Sequence, residues 1–412
     1  MKINIQKNER CRICNSSSLK NFLTFDDMPF TDQIITPAKV GTEFSYPIDL
    51  FFCEECKVTQ TLHDVEVQEY YRDYKYTSSS SEFTRSFMKM LSDNTFNKFE
   101  LREGDHVIEI GSGDGEQLKY FKQKKMKVLG IEPSAELTNL SKERDVPTIQ
   151  TLFNAETIDQ IPKEFLPAQV VLLTYTFDHL PQPKQFLESV KRILDPNKGV
   201  LIIEIHDLSK IIARCETCLF EHEHSIYMTP LTIKETLERF GFKLLSTDLV
   251  PEKLRRGNSL LVAAALNNSS HKSDESVSFC ADFTYLKQYK IYEEFAQKVA
   301  KSYSKMRSYV QSKISDGFKF AGYGGGGRGV MTLAMSGLTH KEINFLCDKN
   351  ASFHGFLTPN THVPIVSPEY LLQNFVDEVI VFSFGYLDEI KRELKDYLQK
   401  GGKLVSMLEL LA

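Results

Sequence analysis

Features that would indicate a membrane protein or a nucleic-acid-binding protein are missing from this sequence. No apolar run approaches the roughly 20 residues that a bilayer-spanning helix needs, and the opening residues, MKINIQKNERC, contain no apolar core of an export signal. Lysine and arginine are not clustered and the formal net charge is −5, whereas binding to a phosphate backbone requires clustered positive charge. We therefore expect a cytoplasmic protein whose partners include neither a membrane nor a nucleic acid.

The chain shows no repeat of solenoid period, but its texture divides it into three blocks, as its 412 residues would lead one to expect. Residues 1–66 carry paired cysteines in a loop-rich stretch. Residues 67–266 alternate apolar runs such as HVIEIG and QVVLLTY with amphipathic stretches such as PKQFLESVKRIL, and residues 277–412 resume this alternation after a polar linker. The alternation predicts βαβ units and parallel sheets, so the expected fold class is α/β, with a small N-terminal module and two larger domains.

Two Cys-x-x-Cys pairs stand in the first block, separated by 38 residues: Cys11 with Cys14, and Cys53 with Cys56. Each pair can place two thiolates on one ion, and four thiolates in a tetrahedron form a closed structural zinc site. The spacer is longer than the common 15–20 residues, and the alternative is four unlinked thiols. A closed site leaves no position for water, so we expect this zinc to stabilise the fold and to take no part in chemistry.

A second metal site is an alternative use of Cys215 and Cys218, which precede His222 and His224. Its spacing is cramped, because ligands two residues apart share a face only in an extended chain. The other interpretation is that both cysteines are free thiols.

A glycine-rich turn, VIEIGSGDG, follows an apolar strand at residues 107–115. Glycines let the backbone approach a ligand, and the helix behind them begins with unpaired N–H groups. A carboxylate that ends the next strand, VLGIE, can accept the ribose hydroxyls of an adenosine. The third glycine arrives one residue too early for the dinucleotide pattern, although a nicotinamide cofactor and a turn without a ligand remain alternatives. The candidate cofactor contacts are Glu109, Gly111, Gly113, Gly115 and Glu132.

This pattern resembles that of the class I S-adenosylmethionine-dependent methyltransferases. The resemblance implies S-adenosylmethionine as the cofactor, with its methionine end against the glycine turn. It also implies that Phe153 and Asn154 lie beside the adenine and that Thr174 lies beside the sulfonium.

The third block contains a second glycine-rich run, FAGYGGGGRG, at residues 320–329, which satisfies the dinucleotide pattern in two registers. Asp348 follows about where such a site has its acid, and Arg328 would suit any phosphate. The run could make a phosphate or nucleotide contact, bind a true dinucleotide, or form a structural turn.

The segment FEHEHSIY, residues 220–227, alternates two histidines with two glutamates. It could be a metal site, acid–base machinery or a polar strand edge. In an extended chain His222 and His224 would share one face, whereas Glu221 and Glu223 would share the opposite face.

The complete order of motifs resembles the three-domain sugar C-methyltransferases, which methylate carbon 3 of nucleotide-linked 4-keto-6-deoxy sugars. The shared features are the two cysteine pairs, a Tyr-x-Ser-Ser segment, the glycine turn, a His-Glu-His segment, and THVPI and PEYLL near the end. The resemblance implies a zinc-binding module, a class I methyltransferase Rossmann-like domain and a second Rossmann-like domain. It also implies a nucleotide-linked sugar as the substrate and a monomeric protein.

Carbon methylation explains why such residues would be needed. A carbon beside a ketone becomes nucleophilic when a base removes its proton, and the enolate charge must then be stabilised. The resemblance implies His224 as the base and Glu223 as the carboxylate beside it. It places a phenol and an imidazole near the keto group, on Tyr76 and His179, and leaves His222 as a further catalytic candidate. The candidate substrate contacts are Ser78, Ser79, Glu221, Tyr227, Asn258 and Arg328.

The sequence departs from the family at two places. Glu221 replaces the usual tyrosine before His-Glu-His, and residues 256–259 read RGNS where the family tends to have His-Gly-Gly-Ser. The alternatives are therefore methylation of an oxygen or nitrogen on a related nucleotide sugar, and a protein that binds nucleotide sugars without turnover.

Overall fold

The structure is a computed structural model that describes residues 4–31, 33–65, 79 and 81–412. Two predicted site residues, Tyr76 and Ser78, lie outside the described residues. None of the described helices combines the length and the apolar character needed to cross a bilayer.

The N-terminal module consists of two small antiparallel sheets. One sheet pairs β1 with β5, and the other has the order β11-β4-β3-β2. The module's strands are β1 (Ile5–Lys7), β2 (Leu19–Pro29), β3 (Ser45–Cys53), β4 (Thr59–Gln60) and β5 (His63–Val65). The edge strand β11 (Ile226–Tyr227) comes from the HEHSIY segment far along the chain, and it pairs Ile226 with Gln60 and Tyr227 with Thr59. The module and this distant segment therefore share one sheet.

The middle domain is built on a seven-stranded sheet, whose central strands are parallel. Its strands are β6 (His106–Ile110), β7 (Lys127–Ile131), β8 (Thr148–Ile149), β9 (Val170–Thr174), β10 (Val200–His206), β12 (Phe242–Ser246) and β13 (Ser259–Leu266), in the order β12-β13-β10-β9-β6-β7-β8. Strand β13 runs antiparallel to both of its neighbours, β10 and β12. The central strands are almost entirely apolar because both faces of the sheet are covered.

Six described helices accompany this sheet: α1 (Glu82–Lys98), α2 (Glu116–Lys122), α3 (Ala135–Glu143), α4 (Pro183–Ile193), α5 (Leu208–Arg214) and α6 (Pro230–Arg239). Helix α6 shows how local sequence sets such an element. Thr229 caps it by accepting a hydrogen bond from the backbone of Thr232, whose own side chain accepts from the backbone of Thr229. Pro230 occupies the first turn, where no N–H is needed. The helix that follows the HEHSIY segment therefore starts at a fixed residue.

The C-terminal domain has a five-stranded parallel sheet in the order β16-β15-β14-β17-β18. Its strands are β14 (Phe320–Tyr323), β15 (Ile343–Cys347), β16 (Ile365–Val366), β17 (Glu378–Val381) and β18 (Lys403–Ser406). Its described helices are α7 (Tyr289–Ser315), α8 (Gly327–Ser336), α9 (Tyr370–Gln373), α10 (Leu387–Glu393), α11 (Lys395–Gln399) and α12 (Met407–Leu411). The α/β fold class, with a small module and two Rossmann-like domains, is confirmed.

The polar stretch at residues 267–276, expected to be a linker, is attached to the middle domain. Ser270 donates its backbone N–H to the carbonyl of Asn197, and Asp274 donates its backbone N–H to the carbonyl of Leu245. His271 and Ser273 bond backbone oxygens of the same domain through their side chains. Small polar residues are common in loops, and in this stretch they form hydrogen bonds to the middle domain. The domain limits 1–66, 67–266 and 277–412 stay predictions.

Candidate active site

A cavity of about 1150 Å³ opens at the carboxyl ends of the parallel strands of the middle domain. Its lining comes from all three domains, including Asp64 of the module, Gly111 of the middle domain and Arg328 of the C-terminal domain. Ligands of open α/β sheets bind at this edge. The volume exceeds the usual 300–1000 Å³ of a single small-molecule site, so the cavity has room for two ligands side by side.

The glycine turn between β6 and α2 lies at one end of this cavity. Gly111, Gly113 and Gly115 all have positive φ. A Cβ on Gly111 would lie 2.4 Å from the Thr176 hydroxyl, so the turn tolerates no side chain there. Gly111 and Gly113 line the cavity. Gly115 does not, because it packs against Ser141, and its role is to begin the helix.

Two carboxyl groups stand beside the turn. Glu132 accepts hydrogen bonds from the backbone N–H groups of Gly113 (2.8 Å) and Ser134 (2.9 Å), although burial still raises its pKa. Burial raises the pKa of Glu109 well above its ordinary value, and its Oε2 has no hydrogen-bond partner among the described residues. A buried carboxyl oxygen of this kind costs free energy unless a ligand donates to it. Glu109 therefore fits the amino group of an amino-acid-bearing cofactor.

The three remaining predicted cofactor contacts line the same cavity. Phe153 packs edge-on against Phe186, with ring centroids 5.3 Å apart. The side-chain oxygen of Asn154 accepts from the backbone N–H groups of Glu156 and Thr157, which fixes the loop after β8. Thr174 ends β9 at the cavity wall. The structure thus brings the predicted cofactor residues together, apart from Gly115.

His224 lies in the cavity wall with a defined tautomer. Its Nδ1 is 2.8 Å from the carbonyl oxygen of Leu219, and a carbonyl can only accept, so Nδ1 carries the hydrogen and Nε2 carries the lone pair. Burial, together with the nearby imidazole of His179, lowers the pKa of His224 to about 3. The His179 ring lies perpendicular to it with centroids 4.5 Å apart. Nε2 is 3.8 Å from a carboxylate oxygen of Glu221, and all three side chains line the cavity.

A further acid–base pair, Asp178 and His206, was not found from the sequence. His206 is the last residue of β10, and its Nδ1 lies 2.8 Å from Oδ2 of Asp178. Its ring stacks on Tyr175 with centroids 4.5 Å apart and lies 5.0 Å from the ring of His224. The available signal was a histidine at the carboxyl end of an apolar parallel strand, where ligands bind.

His222 does not line the cavity, and it does not share a face with His224 as the two residues would in an extended chain. The segment turns at this point, since the backbone N–H of His224 donates to the carbonyl of Glu221, so the alternation of an extended chain does not apply. The Nε2–H of His222 donates to the Met28 carbonyl, and its Nδ1 accepts from His63 at 3.0 Å. Both of its ring nitrogens are occupied away from the cavity.

Four other predicted residues are also engaged outside the cavity lining. Glu223 is buried and accepts a hydrogen bond from Thr31. The Tyr227 hydroxyl accepts from the backbone N–H of Glu221. The two remaining side chains also have protein partners: Asn258 bonds Glu216 and the backbone of Asp207, and Ser79 donates to Asp114. Their expected contact with a substrate stays a prediction.

Of the second glycine run, Gly326 and the first turn of α8 line the cavity. The guanidinium of Arg328 lies over the ring of Phe384, 4.7 Å from its centroid. Asp348 accepts from the backbone N–H of Gly325 at 2.7 Å, which parallels the bond between Glu132 and Gly113. One of its carboxylate oxygens therefore holds the loop.

The four cysteines of the module form one cluster. Cys11 and Cys56 have sulfur atoms 3.5 Å apart, as do Cys14 and Cys53, and all four sulfurs lie within 4.8 Å of one another. Zinc–sulfur bonds of about 2.3 Å in a tetrahedron place sulfurs roughly 3.8 Å apart, so the cluster fits a zinc ion. The alternative second site does not form within the described part of the chain, where Cys215 and Cys218 are buried free thiols.

Three family models match the chain in succession. A "Putative zinc binding domain" matches residues 11–71, a methyltransferase domain matches residues 82–247, and a C-methyltransferase C-terminal domain matches residues 255–408. The C-methyltransferase NovU of Streptomyces niveus is 26% identical over 401 residues, which are 96% of this chain and 94% of that protein. The chain is therefore similar to C-methyltransferases over nearly its whole length. This C-methyltransferase depends on S-adenosylmethionine, and its N-terminal module binds zinc.

Solved methyltransferases overlap only part of this C-methyltransferase. The plantazolicin methyltransferase BpumL bound to S-adenosylhomocysteine is 15% identical and covers 45% of this chain and 84% of its own, with a TM-score of 0.35. Magnesium protoporphyrin IX methyltransferase of Synechocystis PCC 6803 is 12% identical and covers 48% of this chain and 89% of its own, with a TM-score of 0.34.

Proposed function

We propose that this C-methyltransferase methylates a carbon next to the ketone of a nucleotide-linked sugar, with His224 as the base. The supporting observation is that one cavity joins the glycine turn, the Nε2 of His224 and the guanidinium of Arg328. These groups would serve the cofactor, the carbon acid and the diphosphate in that order along the cavity.

Residues of the middle domain would bind the cofactor. Glu109 would accept from the amino group of S-adenosylmethionine, and Glu132 would face its ribose, while Phe153 provides an apolar wall for the adenine. When bound, S-adenosylmethionine supplies an electrophilic methyl group. The protein's part is to hold that group against Thr174, at the end of β9.

The base follows from the tautomer of His224. Because Nδ1–H is held by the Leu219 carbonyl, the Nε2 lone pair is free to take a proton from carbon. Burial keeps this imidazole neutral at physiological pH, so the base is available without prior deprotonation. His179 lines the same cavity, with its ring centroid 4.5 Å from that of His224, and it would donate to the enolate oxygen, with Tyr76 as a second expected donor.

Residues of the C-terminal domain would bind the nucleotide part of the substrate. The first turn of α8, a ten-residue helix, lines the cavity, and the N-terminal ends of helices favour phosphate. Arg328 adds a guanidinium, which binds phosphate oxygens in pairs. A diphosphate bridging the second and third domains would explain why the catalytic cavity extends this far.

Glu221 supports methylation of an oxygen or nitrogen as a second candidate function. Its carboxylate lies 3.8 Å from Nε2 of His224, and a carboxylate–imidazole pair can also deprotonate a hydroxyl. Deuterium at the carbon beside the ketone separates the two functions, because only carbon methylation requires that this deuterium be lost.

The test is to incubate the purified protein with methyl-labelled S-adenosylmethionine and a panel of 4-keto nucleotide sugars, and then to locate the label by NMR. We expect label on the carbon beside the ketone and loss of its deuterium. His224→Gln should abolish both events while retaining affinity for S-adenosylmethionine. His271→Gln, remote from the cavity, is the matched control. Label on oxygen or nitrogen would establish the second function, and binding without any turnover would refute both.

A further inference from the structure

Carbon deprotonation leaves a proton on His224, whose side chain is only 3% exposed. Each turnover replaces one C–H bond with one C–CH₃ bond and releases one proton, so the base must discharge before it can act again. We propose that His206, oriented by Asp178, takes this proton from His224 and delivers it to the open part of the cavity. The proposal rests on the proposed function, in which His224 is the base.

Asp178 sets the orientation of His206. Its Oδ2 is 2.8 Å from Nδ1 of His206 and also accepts from the backbone N–H of the same residue. Its Oδ1 has no hydrogen-bond partner among the described residues, and the carboxyl is buried. A buried carboxylate is costly unless a positive charge is close to it. Asp178 therefore holds Nδ1–H of His206 in place and leaves Nε2 of that ring to receive the proton.

The two imidazoles are close enough for the transfer. Their ring centroids are 5.0 Å apart, and one nitrogen of each ring lies within 4.8 Å of the other. A single water molecule or a substrate hydroxyl spans such a gap. The side chain of His206 is 13% exposed, and it is therefore the more open of the two rings to solvent.

The other titratable groups around His224 fit this role less well. Burial, reinforced by the neighbouring imidazole of His206, lowers the pKa of His179, so His179 resists a second charge. Glu221 lies 3.8 Å from Nε2 of His224, and in a proton relay it is the competitor that the experiment must exclude.

A metal ion is the other use that three such donors suggest, because Asp178, His206 and His224 have ligand atoms within 4.8 Å of one another. The hydrogen bonds argue against it. Nδ1 of His206 and Oδ2 of Asp178 are already bonded to each other, and Nδ1 of His224 is bonded to Leu219. The cluster is arranged to hold protons.

Each bond that forms in the proposed cycle is matched by a bond that breaks. The substrate C–H bond breaks and an N–H bond forms at Nε2 of His224. The substrate carbon then forms a bond to the methyl carbon as the methyl–sulfur bond breaks. The proton passes from Nε2 of His224 to Nε2 of His206, while Nδ1–H of His206 stays on Asp178. His206 finally releases the proton from Nε2 to bulk water, and both imidazoles return to their neutral tautomers.

The experiment compares first and later turnovers by rapid quench, using the keto sugar that the wild-type enzyme methylates. In the wild type we expect the first and later turnovers to have similar rates. In His206→Asn we expect a burst of one methyl group per active site, followed by turnovers at least about tenfold slower, since acid–base groups contribute about 10²–10⁴-fold. Added imidazole should restore the later turnovers. Asp178→Asn should behave in the same direction, and His271→Asn should show no burst.

Three results would overturn the proposal: equal rates of first and later turnovers in His206→Asn, a burst that imidazole does not relieve, or the same burst in Glu221→Gln with none in His206→Asn. Unchanged affinity for S-adenosylmethionine checks that each variant is folded. If His206→Asn does not fold, His206→Gln takes its place. Failure of the proposed function looks different, because the wild type itself would then leave the deuterium beside the ketone in place.

Discussion

Replacing Arg256 by methionine should destabilise the middle domain strongly at pH 7 and weakly at pH 5. Arg256 makes a two-pronged ion pair with Glu204, whose side chain is fully buried in strand β10. Its guanidinium also lies over the rings of Phe87 and Tyr175, at 5.0 Å and 4.5 Å from their centroids. Methionine keeps much of the side-chain length but leaves a buried carboxylate without its cation, a change that costs about 3–5 kcal/mol.

The loss in stability has an upper limit, because a buried carboxylate that has lost its cation can take up a proton instead. A glutamic acid side chain ordinarily has a pKa near 4.3, and protonation above that value costs about 1.4 kcal/mol per pH unit. The loss in free energy of unfolding should therefore be about 4 kcal/mol at pH 7 and about 1 kcal/mol at pH 5. The double variant Arg256→Met/Glu204→Met should recover most of the loss, since a buried pair replaced by apolar groups is often neutral.

The assay is urea unfolding followed by far-ultraviolet circular dichroism, because the chain contains no tryptophan. The transition of the middle domain is the one that S-adenosylmethionine shifts to higher urea. Lys125→Met, which removes the exposed ion pair with Glu103, is the matched control and should leave this transition in place. A loss below about 1 kcal/mol at pH 7, or a loss that is equal at both pH values, would refute the reasoning.

Two further predictions concern the N-terminal module and its contact with the HEHSIY segment. Cys11→Ser should release the zinc and lower the melting temperature, because metal binding contributes to folding in such sites; unchanged metal content by mass spectrometry with an unchanged melting temperature would contradict it. His222→Gln should reduce the loss of stability on acidification. Burial lowers the pKa of His222 to about 3, below the unfolded value near 6.5, so the unfolded chain binds the extra proton and stability falls as pH drops below 6.5. From pH 6.5 to pH 5 this residue accounts for a loss of about 2 kcal/mol in the free energy of unfolding. Thermal unfolding of the wild type and the variant at both pH values measures this loss, and an equal loss in the two proteins would contradict the prediction.

Local patterns in the sequence predicted the parts of the fold that depend on local physics. The apolar runs became β6, β9 and β10 because a parallel sheet covered on both faces needs apolar residues throughout. Each cysteine pair stands on a tight turn, and the preference of zinc for four thiolates predicted that the two pairs would meet. The glycine turn was predictable because the turn needs a positive φ at residue 111, which glycine adopts readily.

Other parts of the site depend on contacts between distant residues, which no local pattern reveals. Asp178 and His206 are 28 residues apart and meet only because β9 and β10 are neighbours in the sheet. The separation of His222 from His224 depends on a turn that their alternation with glutamates does not encode. Glu223 was expected at the substrate, but its partner Thr31 comes from the N-terminal module. Such pairings are set by topology.

The pairing of β4 with β11 has a consequence for anyone who recombines this protein with its relatives. The hydroxyl of Thr61, just past the zinc knuckle, donates to the carbonyl of His224 itself. A chimera that exchanged the first 65 residues would also exchange the contacts on one side of the loop that carries His224. If His224 is the base, such swaps should alter turnover even where zinc is retained. Working hybrids will need both strands from the same parent.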